Sequence, residues 1–135
     1  MELSAATGER WLLLDKSALV RRAEIDSALG EPCLCAITRF ELLYSARSPD
    51  AFEQLENELD AFHELRTDAE TVAIARTAQR ELAATSQHRV PIPDLLIAAC
   101  AHQHQAAVLH LDRHYETLAS VLSFEPVRLE ALEQG

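Results

Sequence analysis

Two short apolar runs, "WLLLD" at residues 11 to 15 and "AVLHLD" at residues 107 to 112, each end in an aspartate, and most of the chain between them carries helical periodicity. Continuous apolar runs of this length read as strands covered on both faces. "CLCAI", residues 33 to 37, reads as a third strand, and "FEPVRL", residues 124 to 129, as a shorter fourth at an edge. Strands separated by helices need crossover connections. The expected fold is therefore α/β, three layers deep, with a central, mainly parallel sheet of four or five strands. Ligands of such sheets bind beyond the carboxyl ends of the strands, where Asp15 and Asp112 would sit.

A chain of 135 residues fits one domain, expected over residues 1 to 135, with 1 to 10 a polar extension and 130 to 135 a tail. Three glycines and five prolines argue against linkers. The opening "MELSAATGER" lacks the basic and apolar regions of an export signal. No run approaches the ~20 apolar residues of a membrane span, so a cytoplasmic protein without membrane contact is expected. Cys33, Cys35 and Cys100 are an odd number in such a chain and read as buried thiols.

The net charge of −10 repels nucleic acid at long range. A nucleic-acid function then requires the acids to gather around divalent cations, or a basic partner to supply charge.

In the middle of the chain, Phe52, Leu55, Leu59 and Phe62 recur at helical spacing among Glu53, Glu56, Glu58, Asp60 and Glu64. A second helix is expected from about Asp68 to Ser86, with Val72, Ala75, Ala78 and Leu82 on one face. The pair forms either a protruding helical hairpin, offering a dimer or partner surface, or two helices packed on their own sheet.

"VPIPDLLIAAC", residues 90 to 100, places Asp94 at the start of an apolar helix. As an N-cap it would accept backbone N–H bonds at the positive end of the helix dipole. Glu41 poses the same choice, because "TRFE", residues 38 to 41, fits the Ser/Thr-x-x-Glu/Gln capping box. The combination points elsewhere. Two acids end strands and two open helices that begin at the same sheet edge. Four converging carboxylates repel one another unless their pKa values rise or cations lie between them, and hard oxygen ligands suit Mg²⁺ or Mn²⁺.

The segments "LLLDKSAL", "ITRFELL", "IPDLLIAACA" and "LHLDRHYETLA", in this order and spacing, resemble the PIN-domain ribonucleases, especially the VapC toxins of toxin–antitoxin pairs, from about Trp11 to Leu129. The resemblance implies a Mg²⁺-dependent RNA-cleaving centre leaving 5′-phosphate and 3′-hydroxyl ends. It also implies a homodimer, a small VapB-like antitoxin and an RNA substrate of the transfer-RNA kind. Position by position, Asp15, Glu41, Asp94 and Asp112 match the family's four acids, as metal ligands and catalytic residues. Ser17 matches the hydroxyl residue after the first acid, and could equally be the N-cap of "SALVRRAEI". Glu116, four positions beyond Asp112, is either an outer ligand or a solvated acid.

Lys16 replaces a small or apolar residue of the family pattern, and His110 replaces a common Thr. Lys16, the single lysine, reaches either a phosphate or solvent. His110 and His114 flank Asp112 in an extended stretch, a spacing that suits supporting or surface roles better than a metal pair. His102 and His104 do not share a helix face and are assigned no site. Lys16, Arg76, Arg80 and Arg113 are the candidate RNA contacts, with Arg76 and Arg80 one helical turn apart. A phospho-acceptor domain would need a late lysine that this chain lacks, and a dehalogenase-type phosphatase an acid where Ser17 stands. The remaining alternative is a non-catalytic α/β protein-binding module whose acids are caps.

Overall fold

The computed structural model describes residues 10 to 129, so the extension and the tail expected at the two ends lie almost wholly outside the described residues. Five strands form one sheet: β1 (Trp11–Leu14), β2 (Glu31–Cys35), β3 (His63–Leu65), β4 (Ala107–His110) and β5 (Pro126–Arg128). All neighbours are parallel, in the order β3-β2-β1-β4-β5. Six α-helices connect or follow them: α1 (Lys16–Val20), α2 (Ala36–Tyr44), α3 (Pro49–Leu59), α4 (Ala69–Ala83), α5 (Ile92–His104) and α6 (His114–Leu118). Two 3-10 turns, Arg22–Glu24 and Ser27–Leu29, lie between α1 and β2.

The sheet divides the core in two, because alternate strand residues face opposite ways. Leu12, Leu14, Leu34 and Leu109 pack with Leu19, Leu42, Leu43 and Leu59, from the side carrying α1, α2 and α3. Leu13, Cys33, Cys35 and Val108 pack on the other side with Ala78, Leu82, Ile97, Cys100, Tyr115 and Leu118, from α4, α5 and α6. The central strands β1 and β4 are apolar on both faces for this reason. All three cysteines are free and buried, as their number suggested.

Three expectations change. The acidic helix ends at Leu59, and Phe62, which continues its spacing, instead precedes the unforeseen strand β3. That strand separates α3 from α4 and sends them to opposite faces, so they form no hairpin with each other. The antiparallel helix pair comes one helix later. The start of α4 meets the end of α5 through the Gln103 amide, which donates to Asp68 Oδ1 at 3.0 Å, and residues 84 to 91 join the other ends. Third, "CLCAI" is a strand only to Cys35, since Ala36 already opens α2.

Candidate active site

Asp15 follows β1 directly and caps α1, its Oδ1 accepting from the backbone N–H of Ala18 at 2.9 Å. The Ser17 hydroxyl donates to the same Oδ1 at 2.7 Å. Ser17 is therefore not the N-cap of its helix; it steadies the residue that is. Asp15 is held to the neighbouring strand as well, donating its N–H to the Leu109 carbonyl at 3.2 Å.

Glu41 arrives differently from the capping-box expectation. The helix that carries it begins at Ala36 with Cys35 as cap, so Thr38 lies inside the first turn and Glu41 in the second. The buried Thr38 hydroxyl donates to the Leu14 carbonyl at 2.9 Å instead of to its own helix. This bond ties the helix carrying Glu41 to the strand that ends beside Asp15.

Asp94 is not a cap either. Helix α5 starts at Ile92 after Pro91, with no side-chain cap. The Asp94 carboxylate turns toward α6: the Tyr115 hydroxyl donates to Oδ1 at 3.2 Å, and His114 Nδ1 lies 3.2 Å from Oδ2. Asp112, two residues past β4, accepts from the His114 N–H at 2.8 Å, and its Oδ1 is 2.7 Å from His114 Nδ1. Ligating atoms of Asp94, Asp112 and His114 lie within 4.8 Å of one another.

Asp15, Glu41, Asp94 and Asp112 line one cleft of about 500 Å³ together with Lys16, Ser17, Val20, Arg21 and Leu111. Its position beyond the carboxyl ends of β1 and β4 is the one expected for a parallel sheet. Burial pushes the Asp15 carboxyl up to about 6, with Asp94 and Glu41 adding to the rise against the Ala18 and Ser17 hydrogen bonds. Burial likewise raises Glu41, helped by Asp94 and opposed by Lys16. Asp94 is raised by burial and by Asp112, against the bonds from Tyr115 and His114. A cation lying among these oxygens would remove that penalty, so the donor set, four carboxylates and one imidazole, fits a hard or borderline divalent ion.

The remaining candidates are not brought to the cleft. Glu116 faces Arg128 at 3.9 Å, and Arg113 is exposed outside the cleft lining. Arg76 and Arg80 line a different pocket with Gln79, Ala83 and His88. His110 is buried under Tyr115, ring centroids 4.9 Å apart, and its Nδ1 accepts from the Asp112 N–H at 3.1 Å. It supports the loop rather than facing the cleft. His102 accepts from the Ser123 N–H at 2.9 Å, and His104 Nε2 lies 2.7 Å from the Arg66 carbonyl.

The sequence profile of the PIN domain matches residues 11–121. The chain belongs to the PIN-domain family. Among curated relatives, ribonuclease VapC17 of Mycobacterium tuberculosis (strain CDC 1551 / Oshkosh) is 41% identical over 118 residues, covering 81% of this chain and 87% of the relative. Ribonuclease VapC51 of Mycobacterium tuberculosis (strain ATCC 25618 / H37Rv) is 37% identical over 108 residues, covering 80% and 79%. This PIN domain thus falls among the VapC ribonucleases. Among solved structures, a member of the VapBC family of toxin–antitoxin systems, VapBC-5 from Mycobacterium tuberculosis, superposes with a TM-score of 0.69 at 26% identity, over 89% of this chain and 99% of that one.

Two partners of Asp94 are not evident from local sequence. Tyr115 carries no local motif, and the spacing of His114 predicts a supporting or surface role, of which the structure shows the supporting one. Their contact with Asp94 spans about twenty residues of chain. The available signal was that both fall in the turn after Asp112, where a helix start points side chains back toward the strand end.

Proposed function

We propose that this single PIN domain is a Mg²⁺- or Mn²⁺-dependent endoribonuclease, the toxin of a toxin–antitoxin pair, acting in the cytoplasm on RNA of the transfer-RNA kind. One observation carries the reading: Asp94, which sequence alone explains equally well as a helix cap, makes no cap hydrogen bond and points into a cleft with three other carboxylates. The PIN profile and the VapC relatives support the same reaction class.

In this proposal Asp15, Glu41, Asp94 and Asp112 hold the ion, with His114 beside the last two. A bound divalent ion supplies Lewis acidity toward water and toward the scissile phosphate. Ser17 and the Ala18 N–H fix one oxygen of Asp15, leaving the other to the cleft. Tyr115 holds Asp94 from the core side. Lys16 lies near enough to lower the proton affinity of Glu41, and in the cleft it can meet a phosphate oxygen. No histidine base and no covalent nucleophile are needed. The described residues contain no helix long and apolar enough to cross a membrane.

A VapB-like antitoxin is the proposed protein partner, on the likeness to a VapBC structure, and a homodimer the proposed assembly. The cap-only, protein-binding alternative loses its ground at Asp94 and Glu41, although Asp15 does cap a helix. The test is cleavage of a total small-RNA pool by antitoxin-free protein, with Asp94→Asn purified identically. Cutting by the wild type alone, abolished by chelator, is the expected result. Equal cutting by both proteins, or none by either together with no Mn²⁺ binding in calorimetry, overturns it.

A further inference from the structure

The chain has 22 acidic residues to 12 basic ones, and the acidic cleft offers RNA only Lys16 and Arg21, the latter already paired with Glu24 at 2.6 Å. Something outside the cleft must hold a polyanion close to it. Among the described residues, Arg10, Arg22, Arg39 and Arg66 each form an ion pair with a carboxylate, whereas Arg47, Arg76, Arg80, Arg89 and Arg113 form none, and of these five only Arg76 and Arg80 line one pocket together.

These two arginines stand one turn apart on the exposed side of α4, and with Gln79, Ala83 and His88 they line a pocket of about 400 Å³ that contains no acid. Like charges at this spacing repel, and the other helical neighbours, Val72, Ala73, Thr77 and Ala84, are uncharged. No acid stands three or four residues from either arginine, so no ion pair along the helix offsets the repulsion. The helix dipole accounts for Arg80 in the last turn, but its influence fades within that turn and does not account for Arg76. Two guanidinium groups, an amide and an imidazole around one hollow form a donor set for a phosphate.

The pocket's place in the fold gives it a use. Arg80 lies within a turn of the end of α4, residues 84 to 91 close the pocket through His88, and the same connection leads into α5, whose third residue is Asp94. We propose that Arg76, Arg80 and His88 seat a backbone phosphate of the RNA on the flank of the acidic cleft, anchoring the strand whose cleavage occurs at Asp94. This rests on the ribonuclease reading above and adds to it a second, metal-independent contact.

The test is fluorescence anisotropy with a fluorescein-labelled pool of cellular small RNA, in chelator, over a series of salt concentrations. Wild type, Asp94→Asn, Arg76→Gln/Arg80→Gln and Arg76→Lys/Arg80→Lys are compared, each checked for an unchanged melting profile. The glutamine pair should bind about tenfold more weakly at low salt, with the slope of log affinity against log salt shallower by roughly 1.4. The lysine pair, which folds with the charge retained, should keep most of the affinity. Asp94→Asn should bind at least as well as wild type in chelator, and in a parallel assay of the same RNA pool with Mg²⁺ it should lose the cleavage that wild type shows. If the wild type binds and cleaves but the glutamine pair binds identically, the pocket is not an RNA seat and the ribonuclease reading stands. If folded wild type neither binds nor cleaves, both fall.

Discussion

The hydroxyl of Tyr115, a side chain with no exposed surface, donates to Asp94 Oδ1 at 3.2 Å, so a carboxylate of the cleft is held from inside the core. Burial, with the nearby Asp15 and Asp94 charges, drives the phenol far above its ordinary range, which keeps it a donor at every pH the fold survives. Outer partners that orient a metal ligand are typically worth about 10 to 100-fold in metal affinity. Tyr115→Phe should therefore keep the fold, lose roughly 1 to 2 kcal/mol of stability and bind Mn²⁺ about tenfold more weakly. Calorimetric titration with Mn²⁺ reads the affinity directly. An unchanged dissociation constant would show that Tyr115 only fills space.

Asp15 makes stability depend on pH in the direction opposite to an ordinary salt-bridged acid. Its carboxyl rises from the usual 3.8 to about 6, chiefly by burial, so the folded state holds the proton more tightly than the unfolded chain does. Stability is full below about pH 4, falls as the pH climbs through 6, and at neutral pH the ion-free protein is weakened by roughly 3 kcal/mol. Asp15→Asn keeps a capping oxygen but carries no charge. In chelator it should unfold at higher denaturant than wild type at pH 7, and the difference should vanish near pH 4. Urea titrations at the two pH values decide it. Wild type and variant sharing one pH profile would sink the assignment.

How much of this was legible in the chain depended on how local each cause was. Strands β1 and β4 declare themselves because both faces are buried, which leaves Leu12, Leu13 and Leu14 no polar alternation. Strand β3 hides, since only Leu65 of its three residues is buried and Phe62 keeps the period of the helix before it. The four acids that line the cleft stand out by their place after strands and near helix starts, yet the local causes that spacing suggests differ from those in the structure. "TRFE" fits a capping box in letters, but Thr38 spends its hydroxyl on a different strand. Asp94 fits an N-cap, but Tyr115 and His114, twenty residues away, turn its carboxylate elsewhere. Pairings of that range are set by packing of the two core layers, and no spacing rule reports them.

The Thr38 bond gives a third test, because among the described residues it is the side-chain hydrogen bond that ties the helix of Glu41 to the strand before Asp15. Thr38→Val conserves volume while removing the donor, leaving the Leu14 carbonyl short of a partner in a buried site. A cost of about 1 to 3 kcal/mol is expected. If the bond also sets the spacing of Glu41 and Asp15, RNA cleavage at saturating metal should fall several-fold at a temperature where the variant is fully folded. Lost stability with unimpaired cleavage would confine Thr38 to the fold.

The last prediction concerns the rim of the cleft. Phe40 and Tyr44 stand one turn apart on α2, 66% and 90% exposed, and Val20, 57% exposed, lines the cleft itself. Exposed aromatic side chains on the helix that carries Glu41 contribute nothing to the monomer's core, and their exposure is tolerable if a partner covers them. Because Glu41 follows Phe40 on the same helix and Val20 lines the cleft, a segment that packs over Phe40 and Tyr44 and extends to Val20 would also close access to the carboxylates. This suits the antitoxin of the proposed pair. Phe40→Ser/Tyr44→Ser should leave the denaturation midpoint within about 0.5 kcal/mol of wild type, as surface changes do. The same protein should lose at least about 2 kcal/mol of affinity for the proposed VapB-like antitoxin, as aromatic anchors at an interface do. Co-purification followed by calorimetry measures the loss, and RNA cleavage by the variant should resist inhibition by the antitoxin. Full inhibition at wild-type concentrations would place the antitoxin elsewhere on the molecule.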